Sequence, residues 1–402
     1  MSSLLLQGLY ASSISTFHWV FIVLLGIIAN RKGFVDKKFK NGLSKLVTNI
    51  ILPCFIFTQI LNNFRIYQYM IIFQSVIGVL IIYVLGLLIG FLFGKIYGLT
   101  KKQHDFIGVV CSSPHNTSIY VILIQVIGPF MDQIIPRPKN LVGDSEKRGL
   151  LYVVINSIAS NIWKWSVCYL LIEPEDENED EMDTIDTPLL RGSENDNNQL
   201  VEKKPKYQEK NIFKSIVNMP LITSMFTLLL TCYPALQRAF ITPKSFLRET
   251  ILKVNMTVSK AYSFIVIFML GLSIAENVNC FKTKESDKKT KDSFMTSPMI
   301  FWLCLVKLVV MPIIFTPIIL YVFRRILYAD DVMTFNMLFL GAAPSAINII
   351  VICTFKNAFV NEISSIMIAM YTTSIVTLTV SIAIFLYILG SLNAPLMGVN
   401  VV

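Results

Sequence analysis

Two short strings have the residue types of a binding site for a polar or anionic group. One reads Cys111-Ser112-Ser113-Pro114-His115-Asn116-Thr117-Ser118, and the other Gly341-Ala342-Ala343-Pro344-Ser345-Ala346-Ile347-Asn348. Each sets a proline inside a long apolar run, with small residues before it and an asparagine within four residues after it. Proline removes a backbone donor and its ring clashes with the preceding turn. A half-helix restarting beyond it presents unpaired N–H groups and the positive end of its dipole. Such an end suits a carboxylate or another anion. Asn116 and Asn348 can each donate and accept hydrogen bonds without burying a charge. Pro114 and Pro344 would create the half-helix ends, and Ser112, Ser113, His115, Thr117 and Ser345 would line the pocket. Pro53, Pro220, Pro312 and Pro317 also fall in apolar runs, but without a polar, small-residue cluster.

The elements that must hold these strings are membrane helices. The chain has 402 residues, 54% of them hydrophobic and only 15% charged, against about 25% charged in soluble domains. Mean hydropathy is +0.62. These values exclude a soluble globule, a disordered protein and a nucleic-acid reader. A helix needs about 20 apolar residues to cross roughly 30 Å of hydrocarbon. Ten segments qualify, at about 5–29, 43–63, 69–94, 105–127, 149–172, 214–235, 255–275, 298–323, 334–355 and 362–389. The runs are continuous rather than alternating, so they predict helices and not barrel strands. The first lacks a basic leader and is too long for a signal-peptide core, so it reads as a span.

Charge divides the chain. Residues 173–212 hold 13 of the 26 acids and 5 of the 35 bases, which leaves 30 bases against 13 acids elsewhere, a net +17. This acidic stretch is too polar to bury a core and is expected to be a disordered linker. It separates a first repeat, 1–172, from a second, 213–402. Within it, Asp186-Thr187-Pro188-Leu189-Leu190 resembles an acidic-dileucine sorting signal. With the N-terminus outside, inward loops carry 15 Lys and Arg and outward loops carry 11. That bias puts both termini in the lumen or outside the cell, and the linker in the cytoplasm. Five spans per half make the second half enter from the opposite side. The fold expected is therefore an all-α membrane protein of ten helices in a 5+5 inverted repeat, broken in spans four and nine.

No Asp or Glu lies in a span interior; Asp105 and Glu362 sit at edges. That pattern argues against a proton or sodium coupling site built on a carboxylate. Lys164 lies close enough to a span end to snorkel to the interface. Lys307 lies near the midplane, and two readings stay open: a scaffold lysine paired with carbonyls, or a supporting charge for an anion. Seven cysteines form no CxxC pair, so neither a disulfide framework nor a metal site is expected. No P-loop or HExxH occurs, and no Ser-His-Asp arrangement has convincing spacing, so neither an enzyme nor a cofactor is expected.

These residues resemble the auxin efflux carrier family, which includes the PIN-formed and PIN-LIKES proteins. Asn49-Ile50-Ile51-Leu52-Pro53-Cys54-Phe55-Ile56-Phe57 is similar to the family's Leu-Pro-Cys string. Pro114-His115-Asn116-Thr117 resembles Pro-Asn-Thr with His115 inserted. Asn218-Met219-Pro220-Leu221-Ile222 resembles Asn-Pro-Pro, with Met219 replacing the first proline. Lys307-Leu308-Val309 with Pro312 resembles the eighth-span string. Ala343-Pro344-Ser345-Ala346-Ile347-Asn348 resembles Pro-Pro-Ala-x-Asn, and Glu362-Ile363-Ser364-Ser365 with Tyr371 resembles the last span. The resemblance covers nearly all ten spans and fails in the linker. It implies crossing broken helices, a mobile bundle on a scaffold, elevator-type alternating access, an auxin-like organic anion as substrate, a homodimer and no coupling ion. It also suits the endoplasmic reticulum or another endomembrane, with the plasma membrane as the alternative.

The sequence thus predicts a carrier for a small amphipathic organic anion, partnered by the lipid bilayer and by no nucleic acid. The competing class is a non-transporting sensor that binds a sterol or lipid and signals through its linker. A channel is the third.

Overall fold

A computed structural model describes residues 2–65, 69–134, 144–173, 219–284, 294–356 and 358–397. The acidic linker and its dileucine string lie outside the described residues, apart from the first position, Glu173. Among the described residues the regular structure is helical. The reason is solvent: hydrocarbon offers no hydrogen bonds, so each backbone group must be paired within its own segment.

In chain order, α1 is Ser2–Arg31 and α2 is Lys37–Leu46, which runs through a π-helical turn, Val47–Ile51, into α3, Leu52–Asn63. Next come α4 (Met70–Ile96), α5 (Lys101–Ser112) and α6 (Ser118–Ile134). α7 (Ser145–Trp163) continues through a π-helical turn, Lys164–Cys168, into α8 (Tyr169–Leu171). After the linker, α9 is Met219–Thr231 and α10 is Pro234–Ile241. A π-helical turn, Arg248–Leu252, leads into α11 (Lys253–Lys260), and α12 is Tyr262–Lys284. α13 (Ser297–Leu305), a π-helical turn at Val306–Val310, α14 (Met311–Leu320) and a second such turn at Tyr321–Ile326 form one continuous rod. The chain ends with α15 (Asp331–Ala342), α16 (Asn348–Lys356) and α17 (Val360–Met397).

Six helical rods among the described residues are long and apolar enough to cross a membrane: Leu6–Arg31, Gly42–Asn63, Met70–Ile96, Arg248–Ala275, Ser297–Ile326 and Val360–Asn393. The other four expected segments differ for identifiable reasons. Two are interrupted, as α5/α6 and α15/α16. A third, α7 to α8, carries Arg148 and Lys164 on its buried side. The fourth, α9, is described only from Met219 onward.

Inside a membrane the apolar content of a helix no longer tells its two faces apart; side-chain size does. α4 shows this. Leu80, Val84, Leu88, Leu92 and Ile96 recur every four residues and are exposed, an aliphatic stripe suited to acyl chains. The other side presents Gly86, Gly90 and Gly94 to α5. A Cβ on Gly90 would stand 2.7 Å from the Gly108 Cα, and one on Gly86 2.9 Å from the Cys111 carbonyl oxygen. Both are closer than real Cβ atoms approach a neighbour. α1 and α12 cross in the same way: a Cβ on Gly26 would collide with the Phe268 carbonyl, and one on Gly271 with that of Val23.

The main core runs through α1, α3 to α7 and α12 to α17. A smaller cluster of Phe57, Leu61, Leu230, Phe240 and Leu252 ties α3 to α9, α10 and the turn before α11. There Gln237 donates from Nε2 to the Leu61 and Phe64 carbonyls at 2.8 and 2.7 Å, satisfying the end of α3.

Candidate functional site

Both proline strings break their helices. α5 ends at Ser112, and Ser113 takes φ −115°, ψ 78°. α15 ends at Ala342, and Ala343 takes φ −69°, ψ 145°. A residue before proline is pushed out of the helical region by the ring, which accounts for both turns. The chain re-enters a helix at Ser118 in one case and at Asn348 in the other.

The two gaps cross antiparallel, with Pro114 opposite Ser345. His115 N donates to the Pro344 carbonyl and Ala346 N to the Ser113 carbonyl, each at 2.7 Å. Each broken helix thus supplies hydrogen bonds that the other lost at its proline. The end of α5 is satisfied by side chains from several elements. Ser112 Oγ donates to Val109 O at 3.2 Å, Ser345 Oγ to Val110 O at 2.6 Å, and Lys307 Nζ to Cys111 O at 2.6 Å. Tyr371 of α17 donates from its hydroxyl to Ser345 O at 3.1 Å. Ser113 Oγ lies 3.1 Å from Cys168 Sγ, which fixes the break against the end of α7.

Of the predicted site residues, Ser112, Ser113, Pro114, His115, Asn116, Pro344 and Ser345 are buried together at this crossing. Among the described residues, two buried polar atoms there have no hydrogen-bond partner, His115 Nε2 and Asn116 Nδ2. The His115 ring meets Tyr371 edge-on at 6.0 Å. Thr117 is half-buried beside the Tyr262 hydroxyl of α12, whose ring stacks on Phe55 of α3 at 4.5 Å. Asn348 stands apart, exposed at the first residue of α16.

That separation follows from register. The ends of α5 and α15, the two prolines and the starts of α6 and α16 are each 230 residues apart (112 and 342, 114 and 344, 118 and 348). On this offset Asn116 corresponds to Ala346, and Asn348 to Ser118. The asparagines look equivalent in the sequence but hold different stations, one in the gap and one at the lip of a half-helix.

The two deep lysines also part company. Lys307 is fully buried and pairs with a carbonyl, the scaffold arrangement among its two readings. Lys164 does not reach an interface; it is 3% exposed, in the π-helical turn beside the break. Its position four residues before Cys168 puts it on the side of the helix that faces Ser113. The sequence does carry a signal for this: Asn156, Ser160, Lys164 and Cys168 repeat every four residues. Tyr83 of α4 joins Ser160 through a hydroxyl hydrogen bond and meets the Trp163 ring edge-on.

At the far end of the broken helices Arg148 Nη1 pairs with Asp330 Oδ1 at 2.6 Å, and Tyr152 donates to Asp330 Oδ2 at 3.0 Å. Both charged side chains are buried, at 2% and 5% exposed. Ser145 donates from Oγ to Asp132 at 2.7 Å, which brings in the end of α6. A cavity of about 10 Å³ lies between α12 and the second break, lined in part by Leu270, Ile347, Ile350 and Tyr371. That is room for about one water.

A family model described as "Membrane transport protein" matches residues 12–382 of this chain. A protein of Schizosaccharomyces pombe named as an uncharacterized transporter is 22% identical over 404 aligned residues, covering 87% of this chain and 88% of that protein.

Proposed function

Since the chain belongs to the membrane transport protein family, we propose that it carries a small amphipathic organic anion across a membrane by alternating access. The observation that carries this reading is the crossing itself. The gaps that follow α5 and α15 meet at one buried point, held by the paired bonds from His115 N and Ala346 N. Within it, Asn116 Nδ2 and His115 Nε2 are left unpaired. Two half-helix starts, at Ser118 and Asn348, add dipole ends of the sign an anion prefers.

In this reading Asn116 and Asn348 bind the polar head, with Ser112, Ser113, His115, Thr117 and Ser345 around it. Pro114 and Pro344 keep the half-helices apart, and Lys307 braces the end of α5. The common offset of 230 residues between the two breaks supports a ten-span, 5+5 inverted repeat. The small cavity beside α12 supports a gated site, since a substrate enters only when α12 and the α16–α17 face part. An elevator movement of the broken-helix bundle against a scaffold of α1, α3 and α9 to α12 would do that. A homodimer in an endomembrane, with both termini lumenal and the linker cytoplasmic, completes the proposal.

Uptake of radiolabelled carboxylates into proteoliposomes tests it. Saturable uptake that falls at least about tenfold in Asn116→Ala and also falls in Asn348→Ala is expected. Saturable binding with no flux would replace the carrier by a sensor, and flux without saturation would make it a channel. Unchanged transport in both variants would remove the site.

A further inference from the structure

Six polar residues recur every four positions along α7 and the turn that follows: Arg148, Tyr152, Asn156, Ser160, Lys164 and Cys168. All are buried. Four-residue spacing puts them on successive turns, and because a helix turns in about 3.6 residues the row winds gradually around it. Their partners differ. Arg148 and Tyr152 hold Asp330, Ser160 shares a hydrogen bond with Tyr83, and Cys168 meets Ser113. Asn156 has neither side-chain atom paired. Lys164, 3% exposed, makes no side-chain hydrogen bond or ion pair among the described residues.

We propose that Lys164 is the cation that receives the anionic head of the transported molecule, and that Lys307 is not. The inference rests on the anion-carrier reading above and names the residue that gives it charge selectivity. An ammonium at membrane depth is costly unless something neutralises it. Lys307 has an acceptor, the Cys111 carbonyl, at the negative end of the α5 dipole. Lys164 has none among the described residues, and no carboxylate pairs with it there. His115 lies within electrostatic range of Lys164, and His115 Nε2 and Asn116 Nδ2 are themselves unpaired. The crossing therefore gathers an ammonium, a carboxamide N–H donor and, in the Nε2–H tautomer of His115, an imidazole N–H donor, none of them hydrogen-bonded among the described residues. An oxyanion supplies acceptors to this set at once. A second cation would be repelled, and a neutral amide would bring donors of its own into the same space.

The test compares carboxylates with their neutral amides, for instance indole-3-acetate with indole-3-acetamide and phenylacetate with phenylacetamide, by thermal shift and by proteoliposome uptake. The carboxylates are expected to stabilise the wild-type protein and the amides far less. Lys164→Gln should lower carboxylate affinity roughly tenfold to a hundredfold, the range of one charge-assisted hydrogen bond, and leave amide binding unmoved. Lys164→Arg should retain most of it, and Lys307→Gln should keep the carboxylate-over-amide preference. Full carboxylate affinity in Lys164→Gln overturns this inference and leaves the carrier reading standing. Failure of every carboxylate in the panel to stabilise or enter with wild type overturns both. Should Lys164→Gln not fold, reductive methylation of the wild type answers instead. A saturating carboxylate should shield Lys164 from formaldehyde and cyanoborohydride, read by mass spectrometry of its peptide, and the amide should not. Equal labelling with and without the carboxylate overturns the proposal.

Discussion

Asn116 and Ser345 lie within one turn of the crossing, and their hydrogen-bond states give them opposite mutational signatures. Asn116 is buried with Nδ2 unpaired, so Asn116→Ala removes an unsatisfied donor. Its apparent stability should be unchanged or higher by up to about 1 kcal/mol, while transport falls. Ser345 donates to Val110 O, so Ser345→Ala leaves a buried carbonyl bare and should cost about 1–3 kcal/mol. Thermal unfolding of both variants beside uptake separates the cases; a large stability loss in Asn116→Ala would show that its side chain is structural. At this scale the prolines, the serines and Asn116 were legible in the sequence, because a proline among small polar residues is a local signal. The partner of Lys307 was not, since it is a carbonyl 196 positions away along the chain.

Among the elements, α4 and α5 pack through glycine, and the fit is tight enough to predict. Gly90→Ala would push its new methyl against Gly108 and should destabilise the protein by about 1–3 kcal/mol. Gly42→Ala is the control: it lies in α2, and its Cβ would meet nothing within 4 Å. That change should be neutral or stabilising by up to about 1 kcal/mol. Thermal unfolding in one detergent checks both, and equal stabilities would argue that α4 and α5 are not packed at this distance. Helix positions were readable from hydropathy because ten apolar runs are separated by charged loops. Which side of each helix faces protein was not, since Leu and Val suit a membrane helix on either side. The π-helical turns at Lys164–Cys168 and Val306–Val310 leave no mark in composition either.

For the whole molecule, the proposed movement separates α12 from the second break. Leu270 of α12 and Ile350 of α16 line one small cavity. In a background with the native cysteines replaced, Leu270→Cys with Ile350→Cys should stop uptake on oxidation and recover it on reduction. Full uptake after complete cross-linking would mean these faces do not part during transport. Unlike that interface, the Arg148–Asp330 pair joins α7 to the start of α15 and lies within the broken-helix bundle. A buried pair of this kind is costly to break from one side, about 3–5 kcal/mol, so it suits a body that moves as a unit.

Sequence alone determined that this is a helical membrane protein, where its apolar runs lie and where two of them break. Those properties arise from side-chain transfer into hydrocarbon and from the chemistry of proline, which act over a few residues. Tertiary structure decided that the gaps pair with one another, that Asn116 and Asn348 hold different stations, and that one deep lysine is capped while the other stands open. Those outcomes depend on how each helix is rotated about its axis, and small residues meeting between helices fix that rotation, whether the helices are neighbours in the chain, as at Gly90 and Gly108, or far apart, as at Gly26 and Gly271.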